Sequence, residues 1–412
     1  MVTYAPGMQP IVITGLGVVT PFGTDTAALA AALRAGRSAV APVTAFDVSA
    51  CAARSAASVR DFDASRWVPP IKARRMDATS QFAMAAASQA LDAAGLRYGH
   101  EPQDGIGVAI GTYTGGGSRT EEFLAGLFRL GPVGAPALLF NATVANVAAS
   151  LIGLELKLRG PNITITHKEV SGLTAAAHAM DLLRAGQART IVTAGVDAIF
   201  PLFFRVHDHF GVLSHENGRA EGSRPFDRTR NGFVLGEGAY AAVLETAASA
   251  RERGAPVLAE LASIECGGSC PGVNQWPRRS GDIARVMRRA IEAAGLQPRD
   301  VGVVYASANS SALDSVEAAA IAEVFGAHPP VVTAVKGALG ECGASTSASM
   351  AAAILCGREG FVPPVAGLRD VDPACGALRL ATSAVAVPGP IALVNGVASG
   401  GALAAAVLRL AA

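Results

Sequence analysis

The chain alternates short apolar segments with longer Ala-rich segments in which polar residues recur at helical spacing. The apolar segments end at glycine or polar residues, as buried strands do, and the Ala-rich segments end at glycine, as helices do. We predict strands at 10–23, 105–111, 163–166, 190–198, 232–245, 257–264, 301–306, 379–387, 390–395 and 402–409. We predict helices at 24–36, 78–94, 119–129, 141–157, 281–294, 313–325 and 346–357, and a further Ala-rich helix after residue 169.

This regular alternation of strand and helix predicts an α/β fold. In outline the chain has two similar halves, each with buried strands and Ala-rich helices, and no low-complexity linker separates them. We therefore expect one compact body built from an N-terminal half, residues 1–250, and a C-terminal half, residues 251–412.

Composition adds close packing to this picture. Half of the 412 residues are hydrophobic but only 5% are aromatic, so Ala, Val, Leu and Gly must fill the core. The formal net charge of +1 gives no overall attraction to nucleic acid or to an anionic membrane. The longest uncharged run, 380–408, contains Pro388, Pro390 and Asn395, which favours two buried strands over a bilayer helix.

The cysteines and the first residues favour a cytoplasmic protein. Only Cys266 and Cys270 are close in sequence, and no matching His/Cys pair lies nearby, so we expect free thiols rather than a zinc site or disulfides. The opening stretch, 1–10, lacks the basic and apolar regions of a signal peptide. His207 and His209 would share a face only in a strand, whereas their segment has the pattern of helix and turn, so we expect no metal site there.

The most informative local feature is a polar corner between the strand at 163–166 and the helix that follows it. A side chain at such a corner lies close to the free N–H groups of the helix N-terminus, where the macrodipole favours negative charge. Glu169 occupies this corner. The residues alone leave two interpretations open: Glu169 caps the helix or pairs with a cation such as Lys168, or it acts as a catalytic base.

Five segments, in order along the chain, resemble the ketosynthase branch of the thiolase-fold enzymes. They are VITGLGVVTPFG (12–23), RRMD (74–77), LRGPNITIT (158–166), SRPFDRTRNGFVLGEGAYAAVLE (223–245) and VNGVASGG (394–401). The fourth is the most specific, and the set spans essentially the whole chain. The resemblance implies a thiolase-like fold, in which two similar halves form a layered α-β-α-β-α body, and it implies no cofactor and no metal ion.

The resemblance also implies a place for each catalytic group. In that family a cysteine thiolate at a helix N-terminus carries the acyl chain, and two histidines polarise the malonyl thioester. Aligned by strand and helix, Glu169 stands at the cysteine position. Ser307 stands at the first histidine position, with Ala306 as the alternative because the 305–317 loop is one residue short, and Glu341 stands at the second.

Two further motif positions complete the resemblance. Lys336 is retained, whereas Ser399 replaces the phenylalanine of the terminal glycine-rich loop. This combination resembles the chain-length factor, the non-condensing subunit of a type II polyketide synthase. It implies a heterodimer with an active ketosynthase subunit, an acyl carrier protein as a second partner, and a polyketide chain held in a tunnel at the shared interface. Most such factors carry glutamine at the cysteine position, so Glu169 points to an unusual branch, such as one that makes reduced polyene chains.

The same resemblance suggests which side chains line the tunnel. A glycine-rich bend at 111–117 precedes a helix with four residues on one face by i, i+3, i+4, i+7 spacing. Ordinary core packing would produce the same stripe, so both interpretations stand. The predicted tunnel residues are Thr112, Tyr113, Thr120, Phe123, Leu124, Leu127 and Ser399.

Two rival functions remain open at this level. A malonyl-carrier-protein decarboxylase would use Glu169 as its base, but it would lack an obvious group to stabilise the enolate. An atypical active ketosynthase would use a displaced cysteine such as Cys342, but that residue has no obvious histidine partner, and we expect it to be a packed thiol.

Overall fold

The structure is a computed structural model that describes residues 9–411, so most of the 1–10 stretch lies outside the described residues. Up to residue 252 the elements are β1 (Ile11–Val19), α1 (Thr26–Arg34), β2 (Ala41–Pro42), β3 (Ser55–Ala56), α2 (Pro70–Ala73), α3 (Ala78–Ala93), β4 (Ile106–Gly111), α4 (Gly117–Leu130), α5 (Val147–Glu155), β5 (Asn162–Ile165), α6 (Ser171–Arg184), β6 (Thr190–Asp197), α7 (Pro201–His209), β7 (Gly238–Thr246) and α8 (Ala247–Glu252). They continue as β8 (Ala259–Gly268), α9 (Ser280–Ala293), β9 (Val303–Tyr305), α10 (Leu313–Phe325), β10 (Val331–Thr333), α11 (Lys336–Leu339), α12 (Ser345–Arg358), β11 (Phe361–Val362), β12 (Arg379–Leu380), β13 (Val385–Ala386), β14 (Ile391–Val397) and β15 (Ala402–Leu410).

Eleven strands form one hydrogen-bonded sheet, in the order β12-β10-β9-β14-β15-β8-β1-β7-β6-β4-β5. β1 joins two groups of strands in the middle of this order. It pairs antiparallel with β7 along nearly its whole length but with β8 only at residues 11–13. β5 is the last strand at one edge of the sheet.

The helices lie in three layers around these two groups of strands. α6 and α12 contact each other and strands of both groups, so they form the middle layer. α3 and α5 cover the outer face of the group that contains β4 and β6, and α9 and α10 cover the outer face of the other. The predicted α/β class and its α-β-α-β-α layering are therefore confirmed.

Small residues let these layers approach closely. A Cβ atom on Gly15 of β1 would lie 2.1 Å from the carbonyl oxygen of Ala90 in α3, and one on Gly17 would lie 2.0 Å from that of Ala86. The backbone of α3 therefore lies directly on the strand, which only glycine permits. This is the close packing that the low aromatic content predicts.

Three predicted elements end or divide differently. The strand predicted at 379–387 divides because β12 pairs with β10 in the large sheet, whereas β13 pairs with β11 in a separate one. The helix predicted at 141–157 divides into a 3-10 turn and α5, since Thr143 bonds back to the carbonyl of Phe140. The segment 232–237 is a loop held by isolated bridges, and β7 begins after it.

Among the helices of residues 9–411, none is long and apolar enough to cross a lipid bilayer.

Candidate functional site

The corner at Glu169 forms where the sequence predicts it. β5 leads through a 3-10 turn, Lys168–Val170, into α6. The Oγ of Ser171 accepts a hydrogen bond from the backbone N–H of His167 at 2.8 Å and donates to the carbonyl of Lys168 at 2.6 Å. Lys168 itself has φ = 51°, a left-handed conformation that is uncommon for a residue with a side chain.

Glu169 is buried, and its carboxyl group binds the terminal glycine-rich loop. Its Oε1 accepts from Ser399 Oγ at 2.9 Å and its Oε2 accepts from Ser399 N–H at 3.0 Å. Burial, together with the negative charge of Glu341, raises the pKa of Glu169 to about 7. The ammonium of Lys168 points elsewhere, donating to Asn274 Oδ1 at 2.6 Å and to Ser399 Oγ at 3.3 Å.

A closed hydrogen-bond network joins Lys336 to Glu341 and Ser307, the two residues that the sequence alignment predicts at the histidine positions. Lys336 Nζ donates to Glu341 Oε2 at 2.7 Å and to Ser307 Oγ at 3.0 Å, and Lys336 and Glu341 are each only 2% exposed. Asn309 Nδ2 also donates to Glu341 Oε2, and Ser345 Oγ donates to Oε1, both at 2.8 Å. The ammonium and both carboxylate oxygens therefore already have partners.

Of the two residues that the alignment left open, Ser307 is the one in this network. Its Oγ also accepts from the backbone N–H of Val397 at 3.0 Å, whereas Ala306 is packed in the apolar core. The backbone N–H of Ser307 donates to Glu317 Oε1 at 2.7 Å, and Asn395 Nδ2 donates to the same oxygen. Burial raises the pKa of Glu317 to about 7.

A cavity of about 70 Å³ lies above Glu169. This is well below the roughly 300 Å³ at which pockets for small-molecule ligands begin. Two predicted tunnel residues, Tyr113 and Ser399, border it. The other lining residues are Val206, His207, Phe210, Val212, Phe233, Asn274 and Trp276.

The remaining predicted tunnel residues do not line this cavity. Thr112 is fully buried, and its Oγ1 donates to Asp197 Oδ1 at 2.9 Å, so it anchors the bend. Thr120 Oγ1 donates to the carbonyl of Thr143 at 3.1 Å. The Phe123 ring packs against another phenylalanine ring across the same turn. The two leucines of the stripe, Leu124 and Leu127, are partly buried.

The segment 117–144, which we call the apolar flank, contains α4 and the 3-10 turns after it. All of α4 lies within the described residues, and none of its side chains is buried in the single chain. Large apolar side chains beyond the predicted stripe are mostly exposed, and exposed patches of this kind mark interaction sites. They are Phe128 (80%), Leu130 (75%), Val133 (99%), Leu138 (96%) and Phe140 (61%).

Several residues around Glu169 escape sequence reasoning. Asn274 and Trp276 come from a loop about 100 residues away, and the only signal was that tryptophan is rare in this chain. His207 Nδ1 lies 2.8 Å from the carbonyl of Phe203, and burial lowers the pKa of its ring.

Burial raises the pKa of the Cys342 thiol well above its usual range, which makes a thiolate there unfavourable. Within residues 9–411, no group of three or more His, Cys, Asp or Glu side chains is placed to hold a metal ion.

Comparisons with known proteins agree with this architecture. The family model "Beta-ketoacyl synthase, N-terminal domain" matches residues 8–250, and "Beta-ketoacyl synthase, C-terminal domain" matches residues 259–369. The chain is 32% identical to a 3-oxoacyl-[acyl-carrier-protein] synthase 2 of Coxiella burnetii, with 89% of this chain and 90% of that protein aligned. It is 35% identical to the tetracenomycin polyketide synthase ketoacyl synthase beta subunit of Streptomyces glaucescens, with the same coverage. A solved structure of the ishigamide ketosynthase/chain length factor superposes with a TM-score of 0.90 at 31% identity, covering 98% of this chain and 100% of that one. The predicted thiolase-like fold and the resemblance to ketosynthases are confirmed.

Proposed function

The chain belongs to the beta-ketoacyl synthase family, and from that premise we propose that it is a chain-length factor of a type II polyketide synthase. In this role it condenses nothing itself. It pairs with an active ketosynthase, shares with it the tunnel that holds the growing polyketide, and limits how long the chain grows on its acyl carrier protein. The ketoacyl synthase beta subunit and the ketosynthase/chain length factor among its relatives support this assignment.

The observation that carries the proposal is the state of the nucleophile corner. Glu169 stands where the sequence alignment predicts the cysteine, both of its oxygens are bonded to Ser399, and the cavity above it holds about 70 Å³. An acyl group transferred to a carboxylate would form a mixed anhydride, which water hydrolyses readily. Such a corner can neither receive nor store an acyl chain.

The network at Lys336 argues against the decarboxylase alternative. Loss of CO₂ from a malonyl thioester leaves an enolate, which needs hydrogen-bond donors or positive charge near its oxygen. The one buried cation of the network, Lys336, is bonded to Glu341 and Ser307. The carboxylate of Glu341 would also repel a developing negative charge.

The apolar flank and the edge of the sheet support a protein partner. Exposed Phe128, Leu138 and their neighbours would be desolvated by a second subunit. Within residues 9–411 the outer edge of β5 pairs with no other strand, and such an edge is a ready template for pairing with another chain. We propose that the ketosynthase covers this surface and that Thr120, Phe123, Leu124 and Leu127 then face the shared tunnel.

Reconstitution tests the proposal. The purified chain, a candidate partner ketosynthase with an intact catalytic cysteine and a malonyl-loaded carrier protein are assayed separately and together by mass spectrometry of the carrier-bound products. We expect elongation only when both subunits are present, in a 1:1 complex. Elongation by this chain alone would refute the proposal. Acetyl-carrier protein formed by this chain alone, and lost in Glu169→Ala, would establish the decarboxylase instead.

Tunnel assignment has a separate test in the same assay. Phe123→Ala removes bulk from the predicted tunnel face, so we expect the complex to make longer products at a similar rate. Thr120→Leu adds bulk and should shorten them. Unchanged product lengths in both variants would show that this face does not border the growing chain.

A further inference from the structure

Three loops meet above the cavity at Glu169, and hydrogen bonds tie them together. Ser399, in the loop 398–401, binds both oxygens of Glu169 and accepts from Lys168 Nζ. Lys168 Nζ also donates to Asn274 Oδ1, in the loop 269–276, at 2.6 Å. The two distant loops therefore share contacts with one pair of adjacent residues.

Backbone contacts draw the same loops together. The N–H of Gly400 donates to the carbonyl of Gln275 at 2.9 Å, and the N–H of Ser269 donates to the carbonyl of Gly401 at 2.8 Å. A Cβ atom on Gly401 would lie 2.5 Å from the Ser269 carbonyl oxygen, so this approach needs glycine. The loops are packed against one another rather than merely adjacent.

Lys168 and Asn274, whose side chains form the hydrogen bond between two of these loops, both have an unusual backbone conformation. Lys168 has φ = 51° and Asn274 has φ = 55°. Left-handed conformations are disfavoured for residues other than glycine, less so for asparagine, and persist where surrounding contacts maintain them. That both partners of one hydrogen bond adopt it indicates that their contact has a positional role.

We propose that Lys168 and Glu169 are positioning residues that hold the terminal loop closed and thereby keep the cavity too small for an acyl thioester arm. We call Lys168, Glu169, Asn274 and Ser399 the clasp. The clasp assigns Glu169 a role that is neither that of a nucleophile nor that of a base. It goes beyond the proposed function because it concerns access to this chain's own cavity, whichever subunit lies beside it.

Two substitutions of Glu169 distinguish the role of its hydrogen bonds from the role of its negative charge. A glutamine at position 169 can keep both bonds to Ser399. Its carbonyl oxygen accepts from the backbone N–H, and its NH₂ group donates to the Ser399 hydroxyl oxygen in place of the bond that the hydroxyl donates to Glu169. An alanine there removes both. Glu169→Gln should therefore behave as the native chain does, and Glu169→Ala should not.

Hydrogen exchange of the full-length chain, read by mass spectrometry, tests this directly. The amides of Ser399 and Gly400 are bonded to Glu169 and Gln275, so their exchange reports loop opening. We expect these amides to exchange about tenfold faster in Lys168→Ala and Glu169→Ala, the factor that loss of one to two hydrogen bonds produces. Exchange in Glu169→Gln should stay near the native rate.

Lys157 provides a matched control. It is also a lysine with a left-handed backbone, φ = 56°, its Nζ donates to the carbonyl of His100, and neither residue lines the cavity. Lys157→Ala should leave the exchange of residues 398–401 unchanged. Equal acceleration in this control would mean a general loss of stability and would overturn the proposal.

A second readout does not depend on backbone amides. Trp276 lines the cavity, and Trp67 is the other tryptophan, so Trp67→Phe isolates its fluorescence. In that background, Lys168→Ala and Glu169→Ala should increase quenching of Trp276 by acrylamide, and Glu169→Gln should not. Native quenching and native exchange in both alanine variants would refute the clasp. Neither result affects the reconstitution test, which can fail or succeed independently.

Discussion

The cavity at Glu169 and the apolar flank differ in which groups are buried: polar groups are buried around the cavity, whereas apolar side chains are exposed at the flank. At the cavity the buried carboxyl group of Glu169 is bonded to the half-buried Ser399, and the buried Lys336 and Glu341 are bonded to each other. At the flank, residues 117–144, large apolar side chains face solvent. The polar groups of Glu169 and Lys336 find their partners within one chain, whereas the apolar side chains of the flank do not.

Under the proposed function, this difference means that the two regions are under different physical requirements: the cavity must keep the fold stable, and the flank must bind a partner. The corner at Glu169 then performs no condensation, but its buried polar groups still need partners, because an unpaired one would destabilise the fold. A surface that binds a partner gains by staying apolar even though the free chain derives little stability from it. Substitutions should therefore affect folding at the cavity and association at the flank, and the following experiments test that division.

The largest effect should come from Lys336→Met. It leaves the buried Glu341 carboxylate without its cation, and breaking a buried pair in this way typically costs about 3–5 kcal/mol. Lys72→Met removes a salt bridge to Glu155 in which the lysine side chain is 50% exposed, so it should cost less than about 1 kcal/mol. Urea denaturation of both variants measures the free energy of unfolding, and equal losses would show that the buried network at Lys336 stabilises the fold no more than an exposed salt bridge does.

A smaller effect, on association alone, should come from Phe128→Asp and Leu138→Asp. Exposed substitutions usually change the free energy of unfolding by under about 0.5 kcal/mol. If the ketosynthase covers the flank, each should weaken the complex by about 2 kcal/mol, which is roughly thirtyfold in Kd. Ile71→Asp, at another exposed apolar residue outside the flank, serves as the control in calorimetric titrations. Normal binding by both flank variants would place the interface elsewhere.

The smallest effect is a pH dependence of stability from buried carboxyl groups. Glu237 accepts hydrogen bonds from the backbone N–H groups of Val59 and Ile199, and burial raises its pKa from 4.5 to about 7. The folded state therefore holds a proton that the unfolded state has lost, so its contribution to stability is full below pH 4.5 and declines as pH rises through 7. Between pH 6 and 8 this one group should lower the free energy of unfolding by about 1.4 kcal/mol.

Glu237→Gln tests that pH dependence through the slope rather than the absolute stability. Denaturation curves at pH 6, 7 and 8 should show a shallower decline in the variant than in the native chain. Glu359→Gln, at a half-exposed carboxylate, serves as the control. A native slope in Glu237→Gln would mean that Glu237 is ionised in the fold at pH 6.

Sequence reasoning succeeds here where a local pattern determines the structure. The helix predicted at 313–325 is α10, residue for residue, because its Ala-rich repeat and its following glycine leave few alternatives. The corner that presents Glu169 follows equally from an apolar strand that runs into an Ala-rich helix. The strand β10, Val331–Thr333, was missed because three residues are too few to show a period.

The contacts of the candidate site were mostly beyond such reasoning. Ser399 was named as a replaced phenylalanine, but its two bonds to Glu169 join residues 230 positions apart. Trp276 and Asn274 reach the cavity from a loop with no regular pattern. Contacts of this kind depend on how the layers pack, and a single sequence carries no signal for the distances between them.

The short antiparallel pairing between β1 and β8 has a consequence for which substitutions this protein can tolerate. Within residues 9–411, β1 and β8 pair only at residues 11–13, whereas α6 and α12 contact strands of both groups. An outer helix such as α3 or α9 can drift with its own group of strands. A substitution in α6 must be accommodated by both groups of strands at once, so we expect fewer substitutions to be tolerated in α6 than in α3 or α9.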